Sequence, residues 1–423
     1  MSTPSKDHIV IVGSGLIGTL SAWYLQKAGH RVTLLDAGKF GAACSHANCG
    51  YVSPSHVLPL PAPGVIPKTL GAMLSPNSPF SIKPRVSPEL WRWLLNFAWR
   101  CRRQPMLDTA VTRHQLLQSS LQKYHQILEE TGIDCQFQSK GLLFVFATEK
   151  EFQHYQATQD LLDQLGAPAK RYGRDDLLNL EPALKDNVAG GYHYEADCHL
   201  RPDLLLKELR KRLEAGGATI LEDCRIQSFC GKQGRAFAAA TEGDKAIQIE
   251  GDQFVVATGA MTPWLNEALG IKIPIQPGKG YSITTTPADG LPTHPMILEE
   301  YKVAITPFQD RFRIGSTMEF AGYDTRLSEP RLELLRNGAR QCLKVPYGEE
   351  VVEKWYGWRP MTWDGKPFID RCPSFRNVWV AAGHNMLGLS MAPASGKLVQ
   401  ELIDGEIPHI NPRPLSLERI RKW

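Results

Sequence analysis

His8-Ile9-Val10-Ile11-Val12-Gly13-Ser14-Gly15-Leu16-Ile17-Gly18 carries an apolar run straight into three glycines spaced G-x-G-x-x-G. A helical stretch follows and stops at Gly29. A second apolar run, Arg31-Val32-Thr33-Leu34-Leu35, then ends on Asp36, with Ala37 after it. Strand, glycine turn, helix, strand and acid in this order predict a βαβ unit that binds a dinucleotide. Gly13 allows the tight turn, Gly15 lets backbone approach a pyrophosphate, and Gly18 lets helix pack on strand. The helix start, with Ser14, Leu16 and Ile17 between the glycines, supplies free N–H groups and partial positive charge to the phosphates. Asp36 accepts from a ribose 2′-hydroxyl and repels a 2′-phosphate.

The 423-residue chain has room for two or three domains, and its 43% hydrophobic, 22% charged composition with net charge +4 is that of a globular protein. No stretch is apolar over the roughly 18 residues that cross a bilayer. Met1–Asp7 leads directly into the first strand, so no leader is expected. The nine cysteines are scattered, without C-x-x-C or metal-ligand spacing. That predicts a reduced cytoplasmic protein with no metal site and no structural disulfide. Lys83, Arg85, Arg92, Arg100, Arg102 and Arg103 face a single acid, Glu89, in one short segment. The rest of the chain has no basic stripe, which argues against nucleic acid as a partner.

Residues 54–88 hold nine prolines among Leu, Val, Ile, Met and Phe, which reads as an excursion over the surface rather than regular structure. Helices are predicted over Glu89–Arg103, Asp108–Thr131, Glu149–Leu165, Arg201–Glu214 and Leu389–Ile403. Strands are predicted over Gly141–Ala147, Ala218–Leu221, Arg225–Phe229, Gln253–Ala260 and Val378–Gly383. Tyr281–Thr286, Val303–Thr306 and Arg311–Gly315 alternate with turns and predict a separate antiparallel sheet. Nucleotide-binding pieces therefore flank a different sheet. Nicotinamide dehydrogenases usually keep their dinucleotide fold in one block, so the interleaving points to FAD.

Further motifs follow in order: Cys44-Ser45-His46-Ala47-Asn48-Cys49-Gly50 with Ser53-Pro54, Ala62-Pro63-Gly64, Val255–Gly259, Lys279-Gly280-Tyr281-Ser282, Gly357–Gly365 and Gly383–Gly388. Together with the glycine turn they resemble the D-amino acid oxidase superfamily of FAD-dependent enzymes, nearest its bacterial D-amino acid dehydrogenases of small-subunit type. The resemblance runs from residue 8 to about 405. It implies an α/β fold in which a Rossmann-like FAD-binding domain is interleaved with an α+β substrate domain built on a large, mostly antiparallel sheet. The implied division is 1–54, 196–275 and 356–423 for FAD, 104–195 and 276–355 for substrate, and 55–103 as the excursion.

The resemblance also implies roles. Ser45, Asn48 and Gly50 pass the pyrophosphate and flavin ring, or form a plain Asx/Gly turn. Ile226 meets the adenine through its backbone, or is simple core. Thr258 and Gly259 close the adenosine half, or merely end a strand. Gly383, Asn385, Leu387 and Gly388 lead into a helix whose N–H groups face the flavin O2. Arg359 binds a substrate carboxylate, braces the flavin, or stacks on Trp358. Tyr281 binds the same carboxylate or belongs to the core, and His46 and His384 flank the ring or are structural.

The implied reaction is oxidation of a D-amino acid, D-proline or D-hydroxyproline included, with hydride transfer from Cα to flavin N5. A glycine- or sarcosine-type oxidase using oxygen is the alternative. The cofactor is expected to be non-covalent, Cys342 and Cys372 being the nearest candidates for an attachment cysteine. A nicotinamide enzyme and a non-catalytic flavin subunit are the remaining readings. Trp91, Trp93, Leu94, Leu95, Phe97 and Trp99 ringed by arginines predict a peripheral patch on the inner face of the cytoplasmic membrane, delivering electrons to quinone. A buried helix and an oligomer contact compete with it.

Overall fold

The computed structural model describes residues 6–67, 78–83, 85–241 and 247–422, so positions 68–77 and 84 of the excursion lie outside the described residues. The opening strand His8–Val12 sits inside a six-stranded sheet. The order is Phe368–Arg371, Val378–Ala382, Gln253–Val256, His8–Val12, Arg31–Leu35, Thr219–Leu221. Every neighbour runs parallel except Phe368–Arg371. Its central strands are almost continuously buried, as befits a parallel sheet covered on both faces. Helix Leu16–Lys27 and the C-terminal helix Gly388–Asp404 pack against each other beside it. Three distant parts of the chain thus build one sheet layer.

The second large sheet has nine strands. From one edge they run Val351–Met361, Gln276–Thr285, Phe312–Phe320, Val303–Pro307, Met296–Leu298, Leu142–Phe146, Gly190–Tyr194, Lys170–Gly173. Phe80–Ile82 pairs beside Met318–Phe320. All pairings are antiparallel except this last one and that of Met296–Leu298 with Leu142–Phe146. The predicted α/β class with a mostly antiparallel second sheet is what folds. Helix Glu329–Cys342 covers the outer face, where its Leu332, Leu335 and Ala339 meet Tyr281, Ile283, Ile305 and Ile314. Across the inner face runs the loop 44–50. Ser282 Oγ donates to Ala47 O (2.9 Å), Thr306 Oγ1 to Cys49 O (2.6 Å) and Arg313 Nη1 to Asn48 O (2.7 Å).

Several elements differ from the sequence reading. Helix Glu329–Cys342 and the strands Lys170–Gly173, Gly190–Tyr194 and Phe368–Arg371 have no counterpart in it. The two helices expected over Glu89–Arg103 and Asp108–Thr131 form with shifted ends, as Pro88–Arg100, capped by Ser87, and Arg103–Thr131. Cys101 and Arg102 leave helical geometry between them, with ψ of 49° and 156°. Val351–Met361 is a strand that its glycine and proline hide. It tolerates Pro360 because it is a sheet edge, where Pro360 lies opposite Pro277.

Beyond the loop 44–50 the chain is pinned by Asp197, fully buried, which accepts from Ser55 N–H (3.0 Å) and Ser55 Oγ (2.6 Å). Burial pushes its carboxyl up to about 7, against the hydrogen bonds from Ser55 that lower it. The folded state therefore holds a proton that the unfolded chain has released, and stability falls as pH rises from about 4 to 7. Asp197→Asn keeps the shape and removes this slope. Chemical denaturation at pH 5 and pH 8 should show the variant gaining on the wild type by up to about 2.6 kcal/mol between those two values. An unchanged gap would remove Asp197 as the cause.

Candidate functional site

The glycine turn closes as its spacing predicts. Gly13 has φ +105°, and a Cβ there would lie 2.5 Å from the Ala257 carbonyl oxygen. A Cβ on Gly18 would lie 1.8 Å from the Gly13 oxygen, so neither position admits a side chain. Gly15 is the residue before the helix and offers no capping side chain; Ser45 Oγ accepts the Leu16 N–H instead (3.0 Å). Ser14 donates both N–H (2.8 Å) and O–H (2.7 Å) to Asp36 Oδ2, and Gly38 N–H donates to Oδ1 (3.0 Å). The carboxylate thus ties the turn to the second strand and keeps lone-pair capacity for another donor. Ala37 is exposed beside it.

Around this turn stand the other expected cofactor residues. Thr258 lies against Gly13, and Gly259 opens a short helix to Leu265. Ile226 begins a strand and is buried with Val12 and Leu35. Gly383 follows the buried strand Val378–Ala382. Asn385, with φ +54°, donates from Nδ2 to Gly383 O (2.8 Å), while its Oδ1 accepts from Thr362 N–H (2.9 Å). Leu387 leads into the helix starting at Gly388, and no side chain caps that start. The glycine turn, Asp36, Thr258–Gly259 and Gly383–Gly388 all lie at the carboxyl ends of parallel strands, where open α/β sheets bind ligands.

The loop 44–50 links this crevice to the large sheet. Asn48 accepts the Gly50 N–H (2.9 Å) and donates to Ser45 O (3.0 Å), an Asx turn that shapes the loop. Above it, Arg359 projects from the edge strand on the same face as Gly278, Gly280 and Ser282. A Cβ built on Gly280 would lie 2.2 Å from Nη1, 2.4 Å from Cζ and 2.5 Å from Nη2 of Arg359. The guanidinium therefore lies flat on the bare backbone of Gly280. Its Nη1 donates to Thr317 O (2.7 Å). Burial lowers its pKa, the thiols of Cys44 and Cys49 opposing this. Burial also holds those thiols protonated, Cys44 at about 11. Among the described residues no carboxylate pairs with Arg359.

The carbonyl it uses belongs to a bulge. Tyr281 pairs with Ser316, but Lys279 pairs with Glu319, so the strand Phe312–Phe320 has one residue too many between them. Ser316 and Thr317 absorb it with φ of +114° and +54°. For a β-branched threonine that geometry costs about 1–3 kcal/mol. The Thr317 hydroxyl is buried without a partner.

The other expected catalytic side chains are not brought to Arg359. Tyr281 points to the opposite face of the sheet, where its hydroxyl donates to Glu319 Oε2 (2.8 Å) in the core under helix Glu329–Cys342. His384 is buried against Ser395 Oγ (2.9 Å), and burial takes its pKa down to about 3. His46 pairs with Glu353 (2.8 Å), a hydrogen bond that raises the imidazole pKa and lowers the carboxyl. Sequence reasoning missed Gly280, Thr317 and Arg313. Gly280 stood inside a quoted motif; nothing in the sequence marks the bulge. Arg313 is a second buried guanidinium, but its Nε and Nη1 are committed to Thr284 Oγ1 (2.9 Å) and Asn48 O (2.7 Å).

A glycine cradle that a Cβ would fill, a free acceptor at Asp36 and a second uncapped helix start fit a flavin dinucleotide lying between the two sheets. Cys342 is buried in the outer core, and Cys372 is buried with its thiol donating to Leu269 O (3.1 Å). Neither belongs to this crevice.

Residues 8–402 match the family described as DAO, FAD dependent oxidoreductase. The chain is 33% identical to a D-amino acid dehydrogenase of Methylobacterium radiotolerans over 97% of its own length and 99% of that protein's. It is 32% identical to one of Agrobacterium fabrum with the same coverage. Among solved structures, glycine oxidase from Geobacillus kaustophilus superposes with a TM-score of 0.75 at 22% identity, covering 97% of this chain and 99% of that one. L-Proline dehydrogenase from P. horikoshii does so with a TM-score of 0.72 at 20% identity, covering 99% of both. These structures share the fold. With its crevice, its glycine turn and nearly its whole length accounted for, the chain belongs to the DAO family of FAD-dependent oxidoreductases.

Proposed function

We propose that this enzyme oxidises D-amino acids, cyclic secondary amines such as D-proline included, to the corresponding imino acids and passes the electrons to a quinone-type acceptor. The observation that carries this reading is Arg359: a half-buried guanidinium over the loop 44–50 with no carboxylate partner among the described residues. A substrate carboxylate completes it through two parallel hydrogen bonds. The bound FAD supplies the two-electron acceptor for the hydride from Cα. The chain's own contribution is orientation, Arg359 fixing the carboxylate and hence the position of Cα. The uncapped helix start at Gly388 directs N–H groups and the positive end of its dipole at developing negative charge. Burial keeps Cys44 and Cys49 protonated, so neither thiol takes the proton of the substrate amine. The curated relatives named D-amino acid dehydrogenase support the D-amino acid. The reading as a glycine- or sarcosine-type oxidase using oxygen draws only on likeness of fold. The burial of Cys342 and Cys372 elsewhere supports FAD held without a covalent bond.

The helix Pro88–Arg100 supports a membrane-side acceptor. Its Leu90, Trp93, Leu94 and Phe97 pack on the core, Trp93 lying 5.4 Å from Phe320. Its other face leaves Trp91, Leu95 and Trp99 60%, 71% and 64% exposed, one helical turn apart, with Arg102 stacked on Trp99 at 4.0 Å. No described helix is long and apolar enough to cross a membrane. Tryptophan and arginine on one face suit the interface of an anionic bilayer, on the inner side of the cytoplasmic membrane.

Under anaerobic conditions, D-alanine or D-proline should bleach the flavin absorbance while L-alanine does not; a flavin that no D-amino acid bleaches would refute the proposed activity. Arg359→Met should lower kcat/KM by about 100-fold or more, since two charge-assisted hydrogen bonds are lost, while flavin content is kept. Vesicles containing phosphatidylglycerol should float the wild type at low salt, and Trp91→Ala, Leu95→Ala and Trp99→Ala together should abolish flotation. Full recovery of the wild type in the soluble fraction would sink the membrane reading.

A further inference from the structure

Resting on the carboxylate role of Arg359, we infer that the Ser316–Thr317 bulge and the bare backbone of Gly280 form a built seat for its guanidinium, making Thr317 and Gly280 positioning residues for the substrate carboxylate. Arg359 lies on an edge strand, in reach of solvent on one side and of the loop 44–50 on the other. A long side chain there has several rotamers, and bidentate recognition tolerates only a narrow range of them. Two contacts remove that freedom.

The first is steric. The guanidinium occupies the volume that a methyl group on Gly280 would take, all three of its nearest atoms within 2.5 Å of that point. The neighbouring strand therefore presents a flat floor, and the plane of the guanidinium settles parallel to it. The second is polar. In a regular antiparallel ladder the carbonyls of Phe312–Phe320 would be directed at the adjacent strands. The extra residue turns the Thr317 carbonyl out of the ladder, and it accepts from Nη1 at 2.7 Å. Thr317 receives nothing local in return for its left-handed backbone: its own hydroxyl is buried without a partner. Strain of this kind persists where the surrounding structure enforces it and the geometry is used. Here the only described use is the carbonyl on Arg359. With Nη1 held, the rest of the guanidinium edge is left to a ligand.

Gly280→Ala tests the floor, and deletion of Ser316, which restores an even register, tests the bulge. Each would be purified with FAD and compared with the wild type and Arg359→Met. Three quantities would be read: KM and kcat for D-alanine with an artificial electron acceptor, the Kd of acetate from its perturbation of the flavin spectrum, and the melting temperature. Gly280→Ala should retain flavin and its melting temperature, raise KM for D-alanine at least 10-fold and weaken acetate in parallel, with kcat changed less than threefold. The Ser316 deletion should weaken acetate as Gly280→Ala does. Should that deletion fail to fold, the alanine variant alone decides. If Gly280→Ala leaves KM and acetate affinity within twofold while Arg359→Met impairs both, the seat is refuted and the carboxylate reading stands. If Arg359→Met leaves both unchanged, the carboxylate reading falls and the seat falls with it.

Discussion

The architecture turns on one close approach. The helix after the first strand begins so tightly that Gly18 sits on the Gly13 carbonyl with no room for a side chain. Only that proximity puts the helix start at the sheet's carboxyl edge, where its N–H groups face outward instead of into a neighbouring strand. Ser14 and Asp36 then lock the turn to the second strand through two hydrogen bonds on one carboxylate oxygen. Thr258, contributed some 240 residues later, closes against the same glycine. Relax this turn and the strands His8–Val12, Arg31–Leu35 and Gln253–Val256 lose their common end, and with it the crevice.

The second sheet is positioned by polar contacts as well as by an apolar seam, where Met318, Phe320 and Met361 pack with Val12, Phe254 and Val380 of the first sheet. The loop 44–50 is held to the inner face by hydrogen bonds from Ser282, Thr306 and Arg313 to its backbone oxygens. Such bonds fix distance and angle more narrowly than apolar packing does. A crevice built to orient a small polar molecule needs that narrowness. Further apolar packing lies on the outer face under helix Glu329–Cys342 and in the aromatic group around Phe146, Tyr155 and Tyr192.

Much of this was legible in the sequence because the signals are local. A glycine turn between two apolar runs leaves little freedom, and the long amphipathic helices announce their ends with Pro202, Gly132 and Gly405. The strand Val351–Met361 was not legible: Gly357 and Pro360 interrupt any strand pattern, and only its place at a sheet edge makes them acceptable. Arg359 was found as a candidate, yet Tyr281 was grouped with it although the two lie on opposite faces. Alternation along Gln276–Thr285 puts Gly280 and Tyr281 on different sides, but a strand expected only from Tyr281 onward leaves Gly280 outside that alternation. The bulge lies beyond any such reading, because register depends on a partner strand that the sequence does not identify.

The helix Pro88–Arg100 has a neighbour that matters. Its Trp93 rests on Phe320, three residues beyond Thr317 on one continuous strand, and Phe80–Ile82, just upstream of that helix, pairs with Met318–Phe320. The outward-facing tryptophans and the pocket are therefore mechanically contiguous through a few side chains and one strand. A displacement of the helix is thereby carried to the strand end that bears the Thr317 carbonyl, and by linkage a ligand that fixes the guanidinium resists that displacement in turn.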